Sequence, residues 1–430
     1  MLNLYHSLTK YSAPALKRVL DNRARRGKED LARLPERMGQ SSKLRPKGKL
    51  AWFHAASVGE AQSTLILINA LLARHPDLHI LVTTGTVTSA TLMHKRLPQR
   101  AIHQYYPLDH PDWVRAFMDH WNPDMIFWME SELWPNMLRE IRIRNILCIL
   151  INARMSRRSY RRWKHIRETA SGLLSAFDLC LAQTKEDAES FLKLNAVNVK
   201  VRDNLKYAAD PLPCDEMQLA RLKEATQGRP LWVYASTHAG EENLACDIHA
   251  QLRSLVPGLL TIIVPRHPDR RGEVVKACNG ASLTSRLRGG DMVMPQATDD
   301  IYIADTLGEL GLFYRLSPIT CIGRSFSLDG GGGHNPIEPA QLGSAVLHGP
   351  NVQNLAQIFA EMDDAGAALC VATPDEFSHA LQTLFTNPHA LEERRAKGMA
   401  FARTKAESLP QILNDIQPYL VDAGIAEEKR

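Results

Sequence analysis

The sequence predicts an α/β protein of two doubly wound domains, and three observations carry that expectation. A chain of 430 residues exceeds what one hydrophobic core supports, so two domains of roughly 200 residues each are expected. From residue 50 short apolar runs alternate with longer helical patterns, the signature of parallel sheets covered by helices. After Asp210-Pro-Leu-Pro213 the alternation starts again, which sets a boundary near residues 205–215. The expected organisation is a leader over 1–48, a first domain over 49–207 and a second over 208–430, with a last helix able to pack back on the first domain.

The leader is the basic part of the chain. Residues 1–50 carry 13 Lys/Arg against 4 Asp/Glu, a net +9, whereas the whole chain carries +5. Lys10, Pro14, Lys17 and Arg18 interrupt any run approaching the ~18 apolar residues that span a bilayer. No apolar stretch is followed by a small-residue cleavage site, so a secretory signal is not expected. An apolar face followed by Arg23, Arg25, Arg26 and Lys28 suits an anionic lipid surface, and equally a solvated leader packed on its domain. Seven scattered cysteines, none in a C-x-x-C pair, fit a reducing cytoplasm.

In the first domain the expected strands are Lys49-Leu-Ala-Trp-Phe-His54, followed by a helix from Ser57 to Leu72, then 79–84, 125–129, 146–151 and 179–182. In the second they are 231–235, 259–264, 319–322 and 345–348. Ligands of such sheets bind at the carboxyl ends of the strands, so the loops there are the places to look for chemistry.

Four strand-to-helix turns stand out. In His54-Ala-Ala-Ser-Val-Gly-Glu60, Ser57 and Glu60 have capping-box spacing, and the same carboxylate could be catalytic. In Ala235-Ser-Thr-His-Ala-Gly-Glu-Glu242 the Ser236 and Thr237 hydroxyls at a helix start could hold a phosphate, although the P-loop lysine is missing. Asp305-Thr-Leu-Gly-Glu-Leu-Gly311 again spaces Thr306 and Glu309 as a capping box, and a helix cap and a ligand-facing loop are both open. Asp329-Gly-Gly-Gly-Gly-His-Asn-Pro-Ile-Glu-Pro339 exposes bare backbone at four glycines, with Asn335 as cap, Pro336 at the first helical position and Glu338 in the first turn. Four glycines cost chain entropy, which favours a loop that a ligand approaches.

Three charged clusters follow other strands. Val264-Pro-Arg-His-Pro-Asp-Arg270 offers Arg266 and His267, and guanidinium geometry matches phosphate oxygens. Glu130-Ser-Glu-Leu-Trp-Pro-Asn136 places Glu130 and Glu132 on one side if the preceding strand persists. Residues 152–164 hold Arg154, Arg157, Arg158, Arg161, Arg162 and Lys164 with Tyr160 and Trp163 interleaved, a pattern open to nucleic acid, a phosphorylated lipid or solvent.

Taken in series, His54 to Glu60, Glu130 to Asn136, Asn152-Ala-Arg-Met-Ser156, Asn204-Leu-Lys206, Ser236-Thr-His238, Pro265-Arg-His-Pro268, Asp305 to Leu310 and Gly332-Gly-His-Asn-Pro-Ile-Glu-Pro-Ala340 resemble the 3-deoxy-D-manno-octulosonic acid (Kdo) transferases over about residues 50–400. The resemblance implies a GT-B glycosyltransferase, two Rossmann-like domains facing a cleft. It further implies inverting, metal-independent transfer of Kdo from CMP-Kdo to the lipid A precursor in lipopolysaccharide synthesis, with no cofactor. By the same resemblance Glu60 is the general base, with Glu132 and Glu130 supporting the sugar. Ser57, Gly59, Arg154, Arg157 and Arg158 would face the acceptor. Ser236, Thr237, Arg266, His267, Gly308, Glu309, Leu310, Gly332, Gly333, Asn335, Glu338 and Lys206 would face the donor.

Two departures matter. Family members commonly begin with an apolar anchor helix, broken here, so peripheral contact with the cytoplasmic face of the inner membrane is expected in place of spanning. The family's glycine before Asn-Leu-Lys is Asp203 here, which bears on the hinge. The lipid acceptor implied for the Arg-rich segment makes a nucleic-acid partner unexpected. The competing readings are a UDP-sugar transferase or epimerase on the same scaffold, and a non-catalytic binding module.

Overall fold

The computed structural model describes residues 1–130, 132–327 and 329–427. It divides into two compact units, Met1–Ala209 with Ala406–Arg430, and Asp210–Lys405.

The first unit is built on seven parallel strands: β1 (Leu50–His54), β2 (His79–Thr84), β3 (Ala101–Tyr105), β4 (Met125–Met129), β5 (Leu147–Ala153), β6 (Leu179–Ala182) and β7 (Val199–Val201). Their order is β3-β2-β1-β4-β5-β6-β7. Helices cover both faces, so β1 and β4 are buried along their whole length and read as unbroken apolar runs. Side-chain alternation sends Leu50 and Trp52 into one core layer and Ala51 and Phe53 into the other. Phe53 pairs in register with Phe127 on β4, their rings stacked 4.5 Å apart. The helix Ser408–Asp422 completes the second layer through Ile412, Leu413, Ile416 and Leu420. Asp415 fixes it to Lys200 and Arg202 beside β7.

The leader is built into this unit. On the helix Leu2–Lys10, the Tyr5 hydroxyl donates to Asp109 at 3.1 Å and His6 bonds Asn136 at 2.9 Å, while Leu4, Leu8 and Tyr11 stay 62, 64 and 82% exposed. Glu29, Glu36 and Arg37 are buried. Glu36 receives the Tyr105 N–H at 2.7 Å, which ties the leader to β3. No helix among the described residues is long and apolar enough to cross a membrane.

The second unit repeats the plan with β8 (Leu231–Thr237), β9 (Leu260–Pro265), β10 (Ser285–Leu287), β11 (Ile301–Ile303), β12 (Ile319–Ile322), β13 (Ala345–His348) and β14 (Ala368–Cys370), in the order β10-β11-β9-β8-β12-β13-β14. In each sheet the strand order reverses next to the unit's first strand, between β1 and β4 and between β8 and β12. Those two switch points are where the carboxyl ends of doubly wound strands leave a crevice.

Candidate active site

At the first switch point, Glu60 follows β1 while Glu130 and Glu132 follow β4. Ser57 is the N-cap of the helix Val58–Arg74, with Oγ accepting the Glu60 N–H at 3.3 Å. Glu60 returns the contact: Oε1 accepts the Ser57 hydroxyl at 2.9 Å and Oε2 the Ala56 N–H at 2.7 Å. Burial, then the like charge of Glu130, raises the Glu60 pKa above the ordinary carboxyl value, against the opposing pull of those two hydrogen bonds. A carboxylate held in one rotamer, buried and harder to ionise, has the properties of a tuned general base. Ser57 and Gly59 are exposed beside it, and a side chain at Gly59 would meet open space.

The expected strand alternation stops short of the two other carboxylates. β4 ends at Met129 and Glu130 turns into the left-handed region with φ of 58°, so the pair is not set by strand pleat. Ser131 lies outside the described residues. Glu130 N–H still donates to the Ile151 carbonyl at 2.9 Å. Burial raises the Glu130 pKa, while the charges of Arg154 and Lys206 oppose it. Lys206, expected to face the donor, thus lies in the first unit near Glu130, on a turn whose Leu205 N–H is held by Asn152 at 2.9 Å. Glu132 receives Trp134 Nε1 at 2.9 Å and stands 3.7 Å from His54 Nε2. Burial disfavours its charge, but His54, Trp134 and Arg37 outweigh that and hold its pKa below the ordinary value. Arg154, Arg157 and Arg158 are exposed, the last two on the helix Arg157–His165, whose Tyr160 and Trp163 pack inward on the core.

Two residues absent from the sequence-based site belong to this neighbourhood. His54 is buried between the Tyr106 and Trp128 rings, 4.1 and 4.4 Å away, with Nδ1 on the Thr83 hydroxyl. Arg37 reaches from the leader to the Tyr106 carbonyl. Both line a cavity of about 340 Å³ within the first unit, together with Val19, Arg23, Glu132 and Trp134.

At the second switch point the backbone itself is shaped for close approach. Ser236 has φ of 60°, and a Cβ on Gly323 would lie 2.2 Å from the Ser236 carbonyl oxygen, so only glycine lets β12 lead into this loop. Buried Glu241 accepts three N–H groups, from His238, Arg324 and Phe326, at 2.7–3.0 Å, and so fixes the loops after β8 and β12 together. His238 meets His334 at 3.2 Å and Asp329 at 3.7 Å, with the His267 ring 6.1 Å away. Arg266 and His267 are exposed at the end of β9. His238, His334 and His267 thus gather beside the Asp329 carboxylate at the ends of β8 and β9.

Several residues expected to face the donor have partners within the protein. The Thr237 hydroxyl is fully buried and donates to Glu242 at 2.9 Å, itself paired with Arg270, which leaves Ser236 as the hydroxyl of that pair still without such a bond. The Gly332 and Gly333 N–H groups donate to the carbonyls of Asn351 and Arg324, so they are not free donors. The glycines serve packing: a Cβ on Gly332 would lie 2.2 Å from Asn354. Glu309 is gripped by buried Arg288 through two bonds of 2.7 Å, with the Thr306 hydroxyl on the same carboxylate, so here it anchors its loop. Leu310 opens the helix Leu310–Leu316, and Gly308 precedes it with φ of 86°. Asn335 caps by accepting the Ile337 N–H and donates to Glu338 at 3.1 Å; Pro336 sits at the cap position, one residue before the first helical one.

Comparison with known proteins places this geometry. The family model described as 3-deoxy-D-manno-octulosonic-acid transferase (kdotransferase) matches residues 32–209. A 3-deoxy-D-manno-octulosonic acid transferase of Rickettsia bellii (strain RML369-C) is 30% identical over 421 residues, 97% of this chain and 100% of its own. A probable mitochondrial 3-deoxy-D-manno-octulosonic acid transferase of Arabidopsis thaliana is 34% identical, covering 90% of this chain and 89% of its own. Among solved structures, a putative UDP-N-acetylglucosamine 2-epimerase from Listeria monocytogenes covers 87% of this chain and 98% of its own at 12% identity, with a TM-score of 0.57. That last likeness shows the fold alone, the GT-B pattern of two Rossmann-like units. With relatives that match it over nearly its whole length, the chain belongs to the 3-deoxy-D-manno-octulosonic acid transferase family of glycosyltransferases.

Proposed function

We propose that this chain transfers Kdo from CMP-Kdo to the lipid A precursor, lipid IVA, with inversion at the anomeric carbon and without a metal ion. In this reading the first unit holds the acceptor and the second holds the donor. The observation that carries it is Glu60, a buried carboxylate of raised pKa at the switch point, with two further carboxylates close by. The acceptor's sugar hydroxyl attacks the Kdo anomeric carbon, the new C–O bond forms as the bond to the CMP phosphate breaks, and the hydroxyl proton passes to Glu60. Cationic character at the anomeric carbon is favoured by the field of Glu130 and Glu132. The CMP phosphate, leaving with the bonding electron pair, is received by Ser236, Arg266 and His267.

Exposed Leu4, Leu8 and Tyr11 lie at helical spacing on the leader, and Lys10, Lys17 and Arg18 follow closely in sequence. Such a stripe would rest on the anionic cytoplasmic face of the inner membrane and bring the unit to its lipid acceptor. The test is mass spectrometry of the lipid A precursor after incubation with CMP-Kdo and the purified chain. Addition of the Kdo mass by the wild type, and none by Glu60→Ala, is expected; unchanged lipid with the wild type overturns the reading.

A further inference from the structure

The cavity between the leader and the sheet of the first unit has no assigned occupant. Its 340 Å³ lies at the small end of ligand pockets. Its floor holds an unusual group: His54 Nε2 is inaccessible to solvent and makes no hydrogen bond, its side chain only 2% exposed. A buried ring nitrogen without a partner is costly unless something supplies one. Glu132 Oε2, 3.7 Å away, is too far to be that partner but close enough to share one. An oxygen about 2.8 Å from each closes the triangle, the place of a hydroxyl that accepts from the imidazole N–H while donating to the carboxylate.

The rest of the wall fits the same kind of ligand. The Trp134 ring lies on this wall, fixed by its Nε1 bond to Glu132, and offers an apolar face. Arg37 uses Nη1 on the Tyr106 carbonyl and pairs through Nε with Glu29 at 3.4 Å, and Arg23 uses Nε on the same carboxylate, so among the described residues Arg37 Nη2 and both terminal nitrogens of Arg23 make no hydrogen bond. Ala56, whose N–H holds Glu60, is part of the same lining.

We infer that this cavity seats a sugar ring of the acceptor, with one hydroxyl between His54 and Glu132, the ring against Trp134, and a phosphate substituent toward Arg23 and Arg37. This rests on the transferase reading and adds to it that the leader forms part of the substrate site. His54 is then a positioning residue for the acceptor, and Arg23 a specificity residue for its phosphate.

The test is steady-state transfer from CMP-Kdo by the full chain, with a de-acylated lipid A precursor as acceptor, used with and without its phosphates. His54→Gln is expected to raise the acceptor KM roughly tenfold while the CMP-Kdo KM stays put. Arg23→Ala, at a half-buried position, is expected to raise the KM for the phosphorylated acceptor severalfold and to leave that for the dephosphorylated acceptor unchanged. Thermal unfolding checks both folds, and Arg23→Ala keeps the test valid should His54→Gln unfold. A wild type that transfers Kdo with acceptor KM values unmoved in Arg23→Ala and in a folded His54→Gln overturns this inference and leaves the transferase reading standing. A wild type that transfers nothing overturns both.

Discussion

Ser57 and Glu60 hold each other: Oγ of Ser57 accepts the Glu60 N–H, and its hydroxyl donates back to the Glu60 carboxylate at 2.9 Å. The proposed base is therefore also half of a helix cap, and its two roles separate by substitution. Glu60→Gln keeps an acceptor for the Ala56 N–H and loses the base; Glu60→Ala loses both. Transfer is expected to fall by at least about 100-fold in each. Unfolding in urea is expected to show Glu60→Ala about 1–2 kcal/mol less stable than Glu60→Gln. Equal stability of the two variants would remove the capping role.

The same pair sits in the field of Glu130, and this gives a pH test. Burial is the larger cause of the raised Glu60 pKa, and the Glu130 charge the second. A base works deprotonated, so the acid limb of the kcat profile follows Glu60. Neutralising its neighbour by Glu130→Gln makes ionisation easier, and the limb is expected to move to lower pH. A limb that stays in place would mean that Glu60 does not set it.

The strands legible in the sequence are those buried on both faces, because continuous apolar runs leave little ambiguity. Met125–Met129 and Leu179–Ala182 coincide with β4 and β6. β3 is not legible because His103 and Gln104 break its run, and β7, β10, β11 and β14 are not because three residues make no pattern. In the site, the Ser57/Glu60 spacing is local and was readable. Arg37 was not, since it meets Tyr106 across 69 positions of sequence. The partners of Thr237, Gly332 and Gly333, namely Glu242, Asn351 and Arg324, come from packing that spacing does not encode.

Arg288 and Glu309 offer a test in the second unit. Arg288 is fully buried and its fork meets Glu309 through two parallel bonds. Glu309→Gln strands that charge and is expected to cost about 3 kcal/mol in urea unfolding. Arg288→Met, which removes the charge from the interior, is expected to cost less. A Glu309→Gln chain with wild-type stability and a raised CMP-Kdo KM would instead make Glu309 a donor contact.

The exposed stripe on the leader is the feature on which the proposed lipid contact rests. On the helix Leu2–Lys10 one face is tied to the unit through Tyr5 and His6, while Leu4 and Leu8 point away from it and touch little. Substituting Leu4→Ser and Leu8→Ser together should therefore leave thermal unfolding nearly unchanged, since no core contact is removed. Each leucine buried in an acyl boundary contributes about 1.5–3 kcal/mol, so the double variant is expected to bind anionic phospholipid vesicles at least about 100-fold more weakly. Sedimentation with vesicles measures this directly. Turnover of a de-acylated, water-soluble acceptor should not change, because the stripe acts on membrane encounter and not on the sugar. Loss of turnover with that soluble acceptor would assign the helix a part in the site, and unaltered vesicle binding would move the membrane contact elsewhere on the chain.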